Sequence, residues 1–144
     1  MFGASVLITA ILCFIISRPK PDPNNLPIKV TEASSLGARL AALDDASMQD
    51  VADYERRLAL VSQNFKESQS QVSDEIQASA KSLKHDGKSA TMSEYLTGLS
   101  FMVTLQPWQT VPFYCKAYEQ DRKEGDENEQ AWQEAGLATQ PVKK

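Results

Sequence analysis

Apolar side chains are unevenly distributed along the chain, and the densest run comes first. Residues 2–17 carry no charged side chain, and Arg18 and Lys20 follow directly. A helix of this length would span about 24 Å, against a hydrocarbon core of about 30 Å. Slight thinning of the bilayer and snorkelling of the two basic side chains would cover the difference. The run therefore predicts a single transmembrane anchor over residues 1–17.

A cleaved signal peptide and a lipoprotein signal are the two other interpretations of this run. A signal peptide normally opens with Lys or Arg and ends in a small-x-small cleavage site, and the sequence has neither. Ile11 and Leu12 stand before Cys13, where a lipoprotein signal needs small residues. The anchor is therefore the favoured interpretation.

One face of the anchor carries small and weakly polar residues at every fourth position. Such spacing lets another membrane helix approach closely, although small residues are common in membrane helices in general. The predicted site of membrane helix packing consists of Ser5, Thr9, Cys13 and Ser17.

Residues 18–30 separate the anchor from the rest of the chain. Four prolines in this segment fix φ and remove backbone donors, which predicts an extended, polyproline-like spacer. Arg18, Lys20 and Lys29 follow the anchor, whereas no basic residue precedes it. The positive-inside rule then favours a cytoplasmic location for the rest of the chain over a periplasmic or lumenal one.

The clearest periodic signal begins after a capping-box-like start at Ser47 and Asp50. Apolar residues then recur at spacings of three and four, with Ser68 and Ala80 filling two positions of the stripe. Neither Gly nor Pro occurs from residue 48 to residue 84, and Gly87 lies at a predicted stop. The pattern predicts one amphipathic helix about 55 Å long. Its stripe consists of Val51, Tyr54, Leu58, Val61, Phe65, Val72, Ile76 and Leu83.

This stripe must be covered, because each large apolar side chain contributes about 1.5–3 kcal/mol when it is buried. Either the rest of the chain or another protein can cover it. Two further predicted helices could fold back against it. The first spans residues 32–43 with Thr31 as its N-cap. The second begins with the capping box of Thr91 and Glu94 and ends at Pro107. Its residues are apolar on almost every face, which indicates burial.

The chain after this point is rich in aromatic residues and then acidic. Thr110 is the predicted cap of a helix with Pro112 in its first turn, and a short helix runs from Asp126 through Trp132 to a stop at Gly136. The aromatic residues form either a satellite core or a docking surface, since Trp and Tyr dominate binding hot spots. The docking candidates are Trp108, Phe113, Tyr114, Tyr118 and Trp132.

These elements together predict an all-α chain. A transmembrane helix over residues 1–17 and a proline-rich spacer over 18–30 precede a helical extramembrane domain over 31–118. In this domain the long amphipathic helix folds back on shorter helices. An acidic tail with a short helix occupies residues 119–144.

Composition and motifs narrow the classes of function. A net charge of −4 without a basic patch argues against nucleic acid as a partner. His85 is the sole histidine, and Cys13 and Cys115 lie in different predicted segments, so neither a metal site nor a disulfide is expected. A Cys115–His85 dyad would lack a third group and an oxyanion donor. No phosphate-binding or nucleophile-elbow motif occurs, and we expect no catalytic residue and no cofactor.

The favoured hypothesis is a non-enzymatic accessory or scaffold subunit that stabilises a larger membrane protein complex. Its partners would be integral membrane subunits and the lipid bilayer. Energy-transducing complexes, respiratory or photosynthetic, carry such single-pass subunits and provide the analogy. A self-associating, membrane-tethered coiled-coil spacer is the first alternative, and a membrane-anchored enzyme is the second.

Overall fold

The computed structural model describes residues 27–31, 34–105 and 109–138, and these residues form a helical domain. The helices are α1 (Leu36–Leu43), α2 (Val51–Phe65), α3 (Gln69–His85), α4 (Met92–Thr104), α5 (Val111–Glu124) and α6 (Asn128–Ala138). An isolated antiparallel bridge joins Pro27 to Ser47. Within these ranges the predicted all-α class is confirmed.

The prediction of a single long helix is wrong, because the helix is interrupted between α2 and α3. Lys66 ends α2 in the left-handed conformation, with φ 56°. Ser68 then begins α3 with a reciprocal capping box: the Gln71 N–H donates to Ser68 Oγ at 3.1 Å, and the Ser68 N–H donates to Gln71 Oε1 at 2.9 Å. Ser68 is therefore a helix cap instead of a polar position in a continuous stripe, and α3 folds back on α2.

The broken stripe is covered by the chain itself. Six of its residues are buried, and the end residues of α2, Val51 and Phe65, are partly buried against the same core. The buried members are Tyr54, Leu58, Val61, Val72, Ile76 and Leu83. Of the two sources of cover that the sequence left open, the structure uses the intramolecular one.

The helix starts agree with the sequence in α4 and α5 and differ in α1 and α2. The capping box of Thr91 and Glu94 is confirmed, and so is the Thr110 cap, to whose hydroxyl the Phe113 N–H donates. In contrast, α1 is capped by Ser35, while Thr31 bonds to Ser34. The Asp50 carboxylate closes a turn with Ser47 ahead of α2 and does not bond to that helix's N–H groups.

The α6 helix continues past its predicted stop at Gly136. This glycine is buried, and a Cβ there would lie 3.1 Å from Met102 Cε and 3.3 Å from Leu105 Cδ1. Its missing side chain allows α6 to approach α4 closely, so this glycine serves contact between helices and not termination.

Two carboxylates from loops cap helices that are distant in sequence. The Met92 and Ser93 N–H groups each donate to the Asp44 carboxylate at 2.8 Å. The Val111 N–H donates to Glu67 Oε2 at 2.7 Å. The free N–H groups at a helix start need acceptors, and here the ends of α1 and α2 supply them to α4 and α5.

Candidate interaction surfaces

The aromatic residues predicted as docking candidates lie mostly in the core. Tyr118 and Trp132 stack with centroids 4.2 Å apart, and the Tyr95 ring meets both edge-on. Tyr114 is also buried, so these rings can offer a partner almost no surface. Phe113 is the exception, with 44% of its surface exposed. Trp108 lies outside the described residues.

Stacking in this core requires a glycine in α4. A Cβ on Gly98 would lie 2.1 Å from the ring atoms of Trp132. The indole therefore rests directly on the α4 backbone on one side and on Tyr118 on the other. This arrangement explains why a sequence rich in Trp and Tyr gives a core and not an aromatic surface here.

The predicted membrane-packing residues Ser5, Thr9, Cys13 and Ser17 lie outside the described residues. Among the helices that are described, none is both long and apolar enough to cross a membrane.

One candidate surface lies at the C-terminal ends of α4 and α6, and we call it the docking surface. It consists of Phe101, Leu105 and Leu137, which are 43%, 38% and 69% exposed. Phe101 and Leu137 each line a depression that also includes Gln133 of α6, and Leu105 lies against Gly136. Exposed apolar side chains of this size in one region mark interaction sites more often than scattered single residues do.

A hollow of about 340 Å³ adjoins the docking surface at Phe101. Gly98 and Trp132 line it, together with the carboxylates Glu94 and Glu129, and none of its described lining residues is basic. The buried indole Nε1 of Trp132 has no hydrogen-bond partner among the described residues. A buried donor without an acceptor costs about 1–3 kcal/mol. The carboxylates at the hollow and the exposed Phe101 beside it therefore suit an apolar segment with a basic residue.

The second candidate surface is a groove between α1 and α3, and we call it the α1–α3 groove. It consists of two adjoining depressions of about 530 and 600 Å³ that share Leu43 and Gln77. Ser73, Gln77, Ala80 and Lys84 recur along α3 at spacings of four, three and four, which places them on one helix face beside the buried stripe. The small side chains at residues 73 and 80 leave the groove open.

A polar network ties α3, α4 and α5 together. The hydroxyls of Ser79 and Tyr95 lie 2.7 Å apart, and Ser82 donates to Glu119. Lys123 Nζ lies 2.6 Å from the Glu119 carboxylate. Burial raises the pKa of Glu119, but hydrogen bonds from the lysine and the serines outweigh burial, so the net pKa is lowered.

The potential nucleophiles in this region are poorly suited to react. Burial raises the pKa of the Tyr95 hydroxyl and the pKa of the Cys115 thiol well above their ordinary values. Both groups therefore stay protonated at neutral pH, and a protonated thiol is a weak nucleophile. The network's geometry is that of a structural brace between helices.

Three carboxylates missed by the sequence analysis come together where α5 meets α6. One oxygen from each of Asp121, Asp126 and Glu134 lies within 4.8 Å of the others. Burial, followed by repulsion from neighbouring carboxylates, raises the pKa of Asp121 and of Asp126. Oxygen ligands of this type suit hard cations, but a solvated acidic face produces the same grouping, and the cluster alone does not establish a metal site.

No protein-family model matches this chain, and no match was found among curated proteins or among solved structures.

Proposed function

We propose that this chain is a non-enzymatic, single-pass accessory or scaffold subunit of a membrane protein complex. In this proposal residues 1–17 anchor the chain, residues 18–30 set its height, and the helical domain binds the extramembrane parts of neighbouring integral membrane subunits. The observation that carries the proposal is the docking surface. Phe101, Leu105 and Leu137 remain exposed there, whereas most large apolar side chains of the described helices are buried.

Burial of this surface by a partner would be favourable. Covering a large apolar side chain fully contributes about 1.5–3 kcal/mol, and Leu137 is 69% exposed in the free domain. A basic residue of the partner would be attracted by Glu94 and Glu129 at the rim of the hollow.

The alternatives receive less support from the geometry. A coiled-coil spacer would use the stripe of α2 and α3 to bind a second copy, but residues such as Leu58 and Ile76 are buried within their own chain. A membrane-anchored enzyme would need an activated nucleophile or base, whereas the buried hydroxyls and thiol have raised pKa values.

The test is native purification of the tagged full-length chain in mild detergent, followed by mass spectrometry of stoichiometric companions. We expect integral membrane subunits to copurify with the wild-type chain. Phe101→Ser combined with Leu137→Ser should lose them, because it removes apolar area from the docking surface. Met48→Ser is the matched control, since Met48 is 54% exposed but does not belong to this surface.

Three results would contradict the proposal. One is a homo-oligomer without companion subunits, which would favour the self-associating spacer. Another is equal loss of companions in the Met48→Ser control. The third concerns the anchor: a chain that lacks residues 1–17 should leave the membrane fraction, and identical fractionation of the two chains as soluble proteins would refute the membrane role.

A further inference from the structure

We propose that the α1–α3 groove binds anionic lipid headgroups, so that the helical domain contacts the membrane surface. This inference rests on the proposed function, because it assumes that residues 1–17 are held in the bilayer. The position of the groove, its charge and the length of the connecting segment each support it.

The groove lies where the chain joins the domain. Val30 lines one of its depressions, and the bridge between Pro27 and Ser47 fixes the chain just before that residue. Val30 and Leu43 are 51% and 58% exposed, so the mouth of the groove presents large apolar side chains to whatever faces it. A segment that arrives from the membrane therefore reaches the domain at this surface.

The charge of the groove has the opposite sign to the charge of the chain. The chain has a net charge of −4, whereas the charged residues that line the groove are Arg39, Lys81 and Lys84 against the single acid Asp74. Among the described residues, no carboxylate forms an ion pair with Lys81 or Lys84. Exposed apolar side chains beside basic ones are the combination that binds an anionic lipid surface.

The connecting segment is short enough to hold the groove at the membrane. Residues 18–26 can extend over at most roughly 30 Å, and they also contain Arg18 and Lys20. Tethering at this distance gives the groove a high effective concentration of headgroups. An acidic amphipathic helix of a partner would match the same charge, but it would not have this advantage of being held next to the site.

The test uses the full-length chain reconstituted in vesicles of phosphatidylcholine, alone or mixed with phosphatidylserine. A fluorescent amino acid at Gln77, an exposed position shared by both depressions, reports quenching by lipids that carry a headgroup quencher. We expect stronger quenching in the anionic vesicles, and we expect high salt to weaken it, because screening shortens the range of the attraction.

Charge reversal identifies the groove as the cause. Lys81→Glu combined with Lys84→Glu should return the quenching to its level in neutral vesicles, since each lysine near an anionic surface changes partitioning roughly fivefold. Lys66→Glu combined with Lys116→Glu is the matched control, because these exposed lysines do not line the groove. Circular dichroism establishes that each variant is folded.

Flotation of the vesicles distinguishes failure of the membrane anchor from failure of the contact between the groove and the headgroups. If the chain does not float with vesicles of either composition, the anchor and this inference are both wrong. If it floats but the label is equally quenched in both compositions, or quenching survives the Lys81 and Lys84 reversal, the groove does not bind headgroups although the anchor stands. A change in emission in neutral vesicles that grows with protein density would assign the groove to a second copy and overturn the inference.

Discussion

Replacing Asp44 with Asn should destabilise the whole domain, although this residue lies in a short turn between α1 and α2. Its carboxylate accepts hydrogen bonds from the N–H groups of Met92 and Ser93, both at 2.8 Å, and from the Tyr54 hydroxyl at 2.6 Å. Asn keeps the shape of the side chain but has one oxygen and no charge. At least one N–H at the start of α4 would then face an amide N–H₂ group.

The expected loss follows from these three bonds. A hydrogen bond to a charged group contributes about 1.5–3 kcal/mol net, and the loss of a helix cap typically costs about 1 kcal/mol. Asp44 is only partly buried, so water can replace part of what is lost. We expect a decrease of about 2–3 kcal/mol in the free energy of unfolding, a large share of the 5–15 kcal/mol typical of a domain.

Urea denaturation of the full-length protein in mild detergent, followed by circular dichroism, measures this loss. With a slope of about 1–3 kcal/mol per molar urea, the midpoint should fall by about 0.7–3 M. Asp45→Asn is the matched control, because the neighbouring Asp45 is exposed and its carboxylate accepts no hydrogen bond from a described residue. A change below about 0.5 kcal/mol for Asp44→Asn, or equal losses for both variants, would refute the capping role.

Four other substitutions test the helix contacts, the helix break and the polar network. Gly98→Ala should lower the free energy of unfolding by about 3 kcal/mol in a urea titration, because the new methyl group would overlap the Trp132 ring. Gly136→Ala should lower it by less than about 1 kcal/mol, because the new methyl group there meets the flexible end of a methionine. Lys66→Gly should stabilise the domain by about 0.5–1 kcal/mol, because φ is 56° at this residue and glycine adopts this left-handed conformation without strain. A decrease of about 1 kcal/mol in stability would instead indicate a continuous helix. The lowered pKa of Glu119 stabilises the fold above the usual carboxyl pKa, and this contribution is lost as pH falls through the lowered value. Glu119→Gln should therefore reduce the difference in stability between neutral pH and about pH 3, and an unchanged difference would exclude this role.

Local signals in the sequence predict several of these elements correctly. The capping box of Thr91 and Glu94 marks the start of α4, and Thr110 marks the start of α5, because these bonds join residues only three apart. The apolar spacing also identifies the residues of the α2 and α3 stripe. Ser68 and Gln71 have the same capping-box spacing, but the absence of Gly and Pro around them favours a continuous helix.

Contacts between distant residues could not be predicted from these patterns. The bonds from Met92 to Asp44 and from Val111 to Glu67 join residues 48 and 44 positions apart, and no local sequence pattern predicts them. Gly136 resembles a helix stop unless Met102 of α4 is known to lie against it. The two interaction surfaces could not be predicted for the same reason, because each depends on which helix faces remain uncovered once the core has formed.

In the scaffold role proposed for the domain, α4 connects its two candidate surfaces. The start of α4 is fixed by Asp44 at the end of α1, and α1 forms one wall of the α1–α3 groove. The end of α4 supplies Phe101 and Leu105 to the docking surface, and between these ends Tyr95 joins the polar network and the aromatic core. One rigid helix of about 20 Å therefore connects the surface proposed to face lipid with the surface proposed to face a protein partner. A subunit that holds its neighbours at a set height above a membrane needs such a connection, because a flexible joint between the two surfaces would transmit no constraint.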